Sequence, residues 1–248
     1  MAAAATSLTQ FTWRSASITS QGNVRSHNED AVLDLPGAGL WVVADGMGGH
    51  KAGDVASRMI VESLCGVVRR ALPSELLDDV EDRLLDVNAR LYRSSLEGEA
   101  GMSGSTVAAL LAFGQHCLSV WAGDSRVYRL RAGELTQVTH DHSEVQALLD
   151  EGAASPQNVS AMASNNVITR AVGGAQELYL DLELRDLRDA DRYLLCSDGL
   201  YKELPDEEIA RQLAVGDPDG ACKALLKETL ARTASDNVSV VVVQFSRS

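Results

Sequence analysis

The sequence predicts an α+β fold, sheet packed on sheet with helices outside. Three observations carry that expectation. Strand-like runs open the chain, a pair of helical segments interrupts them, further strands follow, and two late helices precede a last apolar strand. Both helices of the early pair show one apolar and one charged face, as helices laid on a sheet do. No Pro/Ser-rich linker, charge block or internal repeat divides the 248 residues, a length near the upper range for one domain. A single domain over 1–248 is therefore expected.

Residues 11–20 alternate loosely, as a strand does, and reach the turn-like Ser20-Gln21-Gly22-Asn23. A strand over 30–35 and the apolar run 40–44 follow, separated by Pro36-Gly37. Val55, Met59, Ile60, Leu64, Val67 and Val68 recur at helical spacing. After Pro73, Leu76, Leu77, Val80, Leu84, Val87 and Leu91 do the same. Strands return with TVAALLAF, HCLSVWAG and an apparent hairpin that joins RVYRLR to LTQVT through Ala-Gly-Glu. A short helix is expected over 143–151, with Ser143 as its N-cap and Gly152 past its end. Residues 152–167 are small and polar without period, so the stretch over about 143–167 reads as a surface flap beside a site. ITRAVG, a strand near 178–184, YLLCSD, helices over about 206–214 and 218–232, and the strand VSVVVVQF complete the chain.

Composition narrows the function. The net charge of −13 argues against a nucleic-acid footprint or attraction to an anionic membrane. Much of that acidity sits on helical segments such as SELLDDVEDRLLD, which read as solvated faces. Cys65, Cys117, Cys196 and Cys222 form no CxxC pair and lie in apolar patterns, so buried free thiols are expected rather than disulfides or zinc ligands. None has an arginine six positions later, so a C-x5-R phosphate loop is absent. The opening MAAAATSLTQFTWR lacks a secretory pattern, and the apolar runs are of strand length. A reducing, cytoplasmic setting without a membrane span is the expectation.

Four aspartates mark the chemistry. Asp45 closes LWVVAD, Asp124 closes CLSVWAGD, Asp198 closes YLLCSD, and Asp236 opens DNVSVVVVQF. Strand ends are rigid mounts, and adjacent glycines let backbone approach a ligand. If these ends meet, their carboxylates repel unless a cation lies between them, and oxygen-only clusters suit Mg²⁺ or Mn²⁺. Asp45 could bridge two cations while the Gly46 carbonyl supplies another oxygen. Arg25, upstream in RSHNED beside Glu29 and Asp30, has the planar fork that matches two phosphate oxygens. Bound metals and Arg25 together would reverse the sign of an acidic pocket that must hold a phosphate. Any one of these residues alone is as readily a turn or a surface ion pair. Jointly they predict metal-dependent hydrolysis.

The ordered set RSHNED, DGMGGH, GST (104–106), GDSR (123–126), ITRAVG (168–173), SDG (197–199) and DN (236–237) resembles the metal-dependent serine/threonine protein phosphatase family, protein phosphatase type 2C. The match spans about 13–245, and the wording of the motifs is similar to the bacterial single-domain branch. The resemblance implies a four-layer α-β-β-α sandwich, two central antiparallel β-sheets flanked by helix pairs. It implies that Asp45 bridges two catalytic metals, that Gly46 donates its carbonyl and Glu29 serves the second ion, and that Asp198 and Asp236 complete the first. Asp124 with Asp198 would be the place of a third, and Arg25 would hold the substrate phosphate. Met47 stands where some relatives carry a histidine as proposed general acid, so no side chain is assigned to leaving-group protonation. His50 reads as structural or supporting, and His140-Asp141-His142 as structural.

The expected reaction is direct hydrolysis of phosphoserine and phosphothreonine in proteins by a metal-bridging water, with two Mn²⁺ or Mg²⁺ ions and room for a third. Two rival readings exist. One is a catalytically silent phosphatase fold serving as a regulatory module. The other, an HD-type phosphohydrolase, needs further helical metal histidines that the chain does not readily supply. Expected partners are phosphorylated proteins, an opposing eukaryotic-like Ser/Thr kinase and, more remotely, type VI secretion components, met by a monomer.

Overall fold

Strand backbone can be buried only where neighbouring strands pair its amides and carbonyls. The chain does this in two antiparallel sheets, and the computed structural model describes residues 11–48, 52–98, 103–153 and 167–248. The first sheet runs β1 (Phe11–Ser20), β11 (Val238–Arg247), β10 (Arg192–Cys196), β7 (Arg126–Arg131), β8 (Glu134–Gln137). The second runs β2 (Asp30–Leu35), β3 (Leu40–Gly48), β5 (Val107–Phe113), β6 (His116–Ala122), β9 (Asp181–Asp186), with β4 (Ser103–Ser105) on the far end of β3. Helices α1 (Ala52–Leu64) and α2 (Pro73–Glu97) cover the second sheet. The one-turn α4 (Asp198–Tyr201), α5 (Asp206–Leu213) and α6 (Pro218–Leu230) cover the first. A short α3 (Glu144–Asp150) follows β8, and the Ser143 hydroxyl caps it by accepting from the Gln146 amide.

Three apolar layers hold this α-β-β-α sandwich together. Between the sheets lie Trp41, Val43, Tyr193, Leu195, Val241, Val243 and Phe245. Their strand neighbours of opposite parity, Leu40, Val42 and Ala44, meet Ile60 and Leu84 of the helix pair. On the other side Val238, Val240 and Val242 meet Leu200, Ile209 and Leu225. Central strands such as β5 and most of β11 are thus apolar on both faces because both faces are covered. Edge-to-face contacts tie the middle layer, with ring centroids 5.8 Å apart for Trp13–Trp41 and 5.7 Å for Tyr193–Phe245.

Some boundaries differ from the sequence reading. α1 stops at Leu64 rather than running through Val68: the Val67 amide closes a tighter turn onto the Leu64 carbonyl at 3.0 Å across Gly66, a poor helix former. Val67 is still buried, whereas Val68 is exposed. The strand expected near 178–184 lies at 181–186, where its register is set by pairing Asp181–Asp186 with β6. Residues 154–166 of the expected flap, and His50, lie outside the described residues. Among the described residues no helix is long and apolar enough to cross a membrane.

Candidate functional site

At one end of the sandwich, the ends and turns of both sheets bring five carboxylates within electrostatic range. β2 and β3 place Asp30 directly opposite Asp45. Asp45 does not close its strand, as the sequence suggested; β3 continues to Gly48 and exchanges β5 for β4 as its partner. At that exchange Thr106 clamps Asp45, whose amide donates to the Thr106 hydroxyl at 3.1 Å and whose carbonyl accepts from the Thr106 amide at 2.9 Å. Asp198 likewise lies just past β10, as the first residue of α4, and Asp236 two residues before β11.

Backbone proximity sets this geometry. A Cβ on Gly46 would fall 2.0 Å from the Gly53 carbonyl oxygen, so the start of α1 rests directly on the Asp45-Gly46 peptide. The Glu29 carbonyl accepts from the Gly46 amide at 3.1 Å and from the Ser57 hydroxyl at 2.5 Å. Asn237, buried, braces the opposite side: its carbonyl accepts from the Glu29 amide, and its NH₂ donates to the Gln21 and His27 carbonyls. Arg25 donates to Asp236 at 2.8 Å, with its side chain half exposed toward solvent.

Asp124 reaches the cluster from the β6–β7 turn and is 4% exposed. The Tyr201 hydroxyl donates to its carbonyl at 3.0 Å, and Tyr201 in turn lies under the Arg126 guanidinium, 3.6 Å from its ring centre. Arg126 is fixed by a forked pair with Asp141, so the Arg of GDSR supports the site rather than facing it. His142 accepts from the Gly123 amide and pairs with Asp181; His140 pairs with Asp150. The three residues of His140-Asp141-His142 thus have three separate partners.

The electrostatics follow from crowding like charges away from water. Burial, then the charges of Asp30, Asp198, Asp124 and Asp236, push the Asp45 carboxyl well above its usual range. Burial raises Asp30 to about 7, against hydrogen bonds from Ser197 and Ser239. Burial and Asp198 raise Asp124 to about 6. Among the described residues two cations answer this charge: Arg25 on Asp236, and Lys202, whose ammonium donates to Asp198 at 2.5 Å. Among the described residues no three His, Cys, Asp or Glu side chains already close on a common metal position. Yet one oxygen each of Asp30, Asp124 and Asp198 is buried without a hydrogen-bond partner. Buried, unsatisfied carboxylate oxygens beside further carboxylates are a donor set for hard divalent cations. The residues therefore fit such ions.

Sequence reasoning passed over Asp30, Tyr201 and Lys202 as site residues. Asp30 was visible in RSHNED, and Lys202 lies four residues after Asp198, a spacing that pairs side chains on a helix. Beside Met47 and Gly48 opens a cavity of about 480 Å³, walled by Gly104, Ile168, Arg170 and Tyr179 among others. None of the five clustered carboxylates lines it; Met47, two residues after Asp45, is its link to the cluster.

Comparison with known proteins points the same way. A family model described as Protein phosphatase 2C matches residues 19–240. The serine/threonine protein phosphatase PstP of Mycobacterium tuberculosis is 38% identical over 235 residues, covering 92% of this chain and 44% of PstP. This chain thus spans less than half of that relative's length. Among solved structures, PppA, described as a key regulatory component of the T6SS in Pseudomonas aeruginosa, superposes with a TM-score of 0.88 at 39% identity, covering 97% of this chain and all of that one. The catalytic domain of PstP in complex with two manganese ions gives a TM-score of 0.86 at 36% identity over 95% of this chain and 99% of that one.

Proposed function

The chain belongs to the protein phosphatase 2C family, and from that premise we propose that it hydrolyses phosphoserine and phosphothreonine in proteins with the help of divalent metal ions. The observation that carries this reading is the convergence of Asp30, Asp45, Asp124, Asp198 and Asp236 with buried, unpartnered carboxylate oxygens. Asp45, Asp198 and Asp236 would hold one ion; Asp45, the Gly46 carbonyl and Glu29 the other. When bound, such ions neutralise phosphate charge and acidify a water that attacks phosphorus.

The chain's own residues do the rest. Arg25, half exposed at the rim beside Asp236, can turn its guanidinium fork to two phosphate oxygens, holding the group and the charge it develops in the transition state. Thr106 and the Gly46–Gly53 contact keep the Asp45 peptide from shifting. Asn237 keeps Glu29 beside Asp236. Such fixed placement is worth roughly 7–11 kcal/mol of barrier in well-oriented systems.

The natural substrates in this reading are phosphoproteins made by a eukaryotic-like Ser/Thr kinase. The 39% identity to PppA supports type VI secretion components as candidates. A cytoplasmic monomer completes the proposal; a free exposed Cys65 suits a reducing compartment.

The deciding experiment measures phosphate release from p-nitrophenyl phosphate and from phosphoserine and phosphothreonine peptides, with Mn²⁺, with Mg²⁺ and with EDTA. Metal-dependent turnover that EDTA abolishes, lost in Asp198→Asn while the protein still folds, is the expected outcome. No turnover with any metal would leave a phosphoprotein-binding module instead.

A further inference from the structure

The acidic cluster is neutralised unevenly by the chain itself. On one side Arg25 meets Asp236 from a half-exposed position, from which it can swing away. On the other, Lys202 is held. It caps α4, its amide donating to the Asp198 carbonyl at 3.0 Å, so its side chain runs back over the Asp198 carboxylate and meets it at 2.5 Å. Its neighbour Tyr201 is anchored on Asp124 from below and by Arg126 from above. The short helix is thereby clamped, and the ammonium is held on Asp198, while the same turn ties Tyr201 to Asp124. The buried Asp124 oxygen that lacks a hydrogen-bond partner belongs to this side.

We propose that Lys202 is the resident cation of the Asp124–Asp198 side, so that this site takes two divalent ions and excludes a third. The inference rests on the metal-dependent reading above. An ammonium supplied by the chain neutralises part of the carboxylate charge that would attract another ion, and it repels a divalent cation at close range. Lys202 is thus a positioning and selectivity residue, not one that touches phosphate.

Metal stoichiometry tests this without reference to turnover. Native mass spectrometry and equilibrium dialysis against MnCl₂ are expected to find two Mn²⁺ per chain in the wild type and in Lys202→Arg. Lys202→Ala and Lys202→Asp are each expected to bind one Mn²⁺ more. Three ions in the wild type, or two in both neutral and acidic variants, overturn the inference while leaving the metal-dependent reading standing. A wild type that binds no Mn²⁺ overturns both, so the two failures are told apart.

Discussion

At the scale of single residues, the proposed function separates groups that would touch phosphate from groups that hold others in place. Arg25 is half exposed on the rim, and its ion pair with Asp236 is partly solvated. A hydrogen bond to a charged partner contributes about 1.5–3 kcal/mol, so Arg25→Ala is expected to lower kcat/KM roughly 10- to 100-fold. Steady-state kinetics on a phosphopeptide would show the loss in KM where Arg25 holds the ground-state phosphate and in kcat where it holds the developing charge; an unchanged kcat/KM removes Arg25 from the phosphate. Asp198 lies deeper, and its neutral amide variant should lose more than the roughly 100-fold typical of outer-shell changes around a metal. Residues of this kind were legible in the sequence because Asp-Gly and Asp-Asn pairs stand out beside apolar runs. Tyr201 was not, since nothing in DGLYKE says that its hydroxyl turns to Asp124, and Lys202 was marked only by its spacing from Asp198.

Elements position these residues through backbone contacts that leave no room for side-chain variation. α1 packs its first turn on β3 at Gly46 and Gly53, where an added Cβ would meet carbonyl oxygen at 2.0 Å and 2.8 Å respectively. Gly46→Ala must push α1 off the sheet, and overpacking of that kind costs about 1–3 kcal/mol. Urea unfolding with a lowered midpoint, together with weaker Mn²⁺ binding, is the expected result; wild-type behaviour in both would mean the contact is slack. Asn237 ties the start of β11 to three points of the β1–β2 loop through one buried amide. Asn237→Ala orphans the Glu29 amide and two carbonyls, at about 1–3 kcal/mol for such a buried loss, and the same unfolding assay reads it. The elements themselves were foreseen nearly throughout, because strand-length apolar runs and helical periodicity are local signals. The misplacements at α1 and β9 arose where a neighbouring element, not the local pattern, sets the boundary.

At the scale of the whole molecule, the fold gathers more negative charge at one end than it can comfortably hold. In protein stripped of metal, Asp30 keeps its proton up to about 7 and Asp124 up to about 6, whereas both release it near 4 when unfolded. Between those limits the folded state binds more protons, so stability falls as pH rises. His142 opposes this weakly: burial lowers its pKa, which costs stability only as pH drops below about 6.5. Thermal unfolding in EDTA should therefore give a Tm that declines from pH 5 to pH 8, and saturating Mn²⁺ should remove the decline. A Tm that climbs over that range would contradict the coupled cluster. What the sequence determined by itself was the class of fold, the order of its elements and the acidic residues that carry the chemistry, for these are written in periodicity and in short local motifs. What only the tertiary structure decided was which of those residues meet and what holds them: Asp30 across from Asp45, Asn237 tying β11 to the β1–β2 loop, Lys202 laid on Asp198. Each of these contacts depends on strand register and close backbone approach between distant segments, and neither is encoded in any stretch read alone.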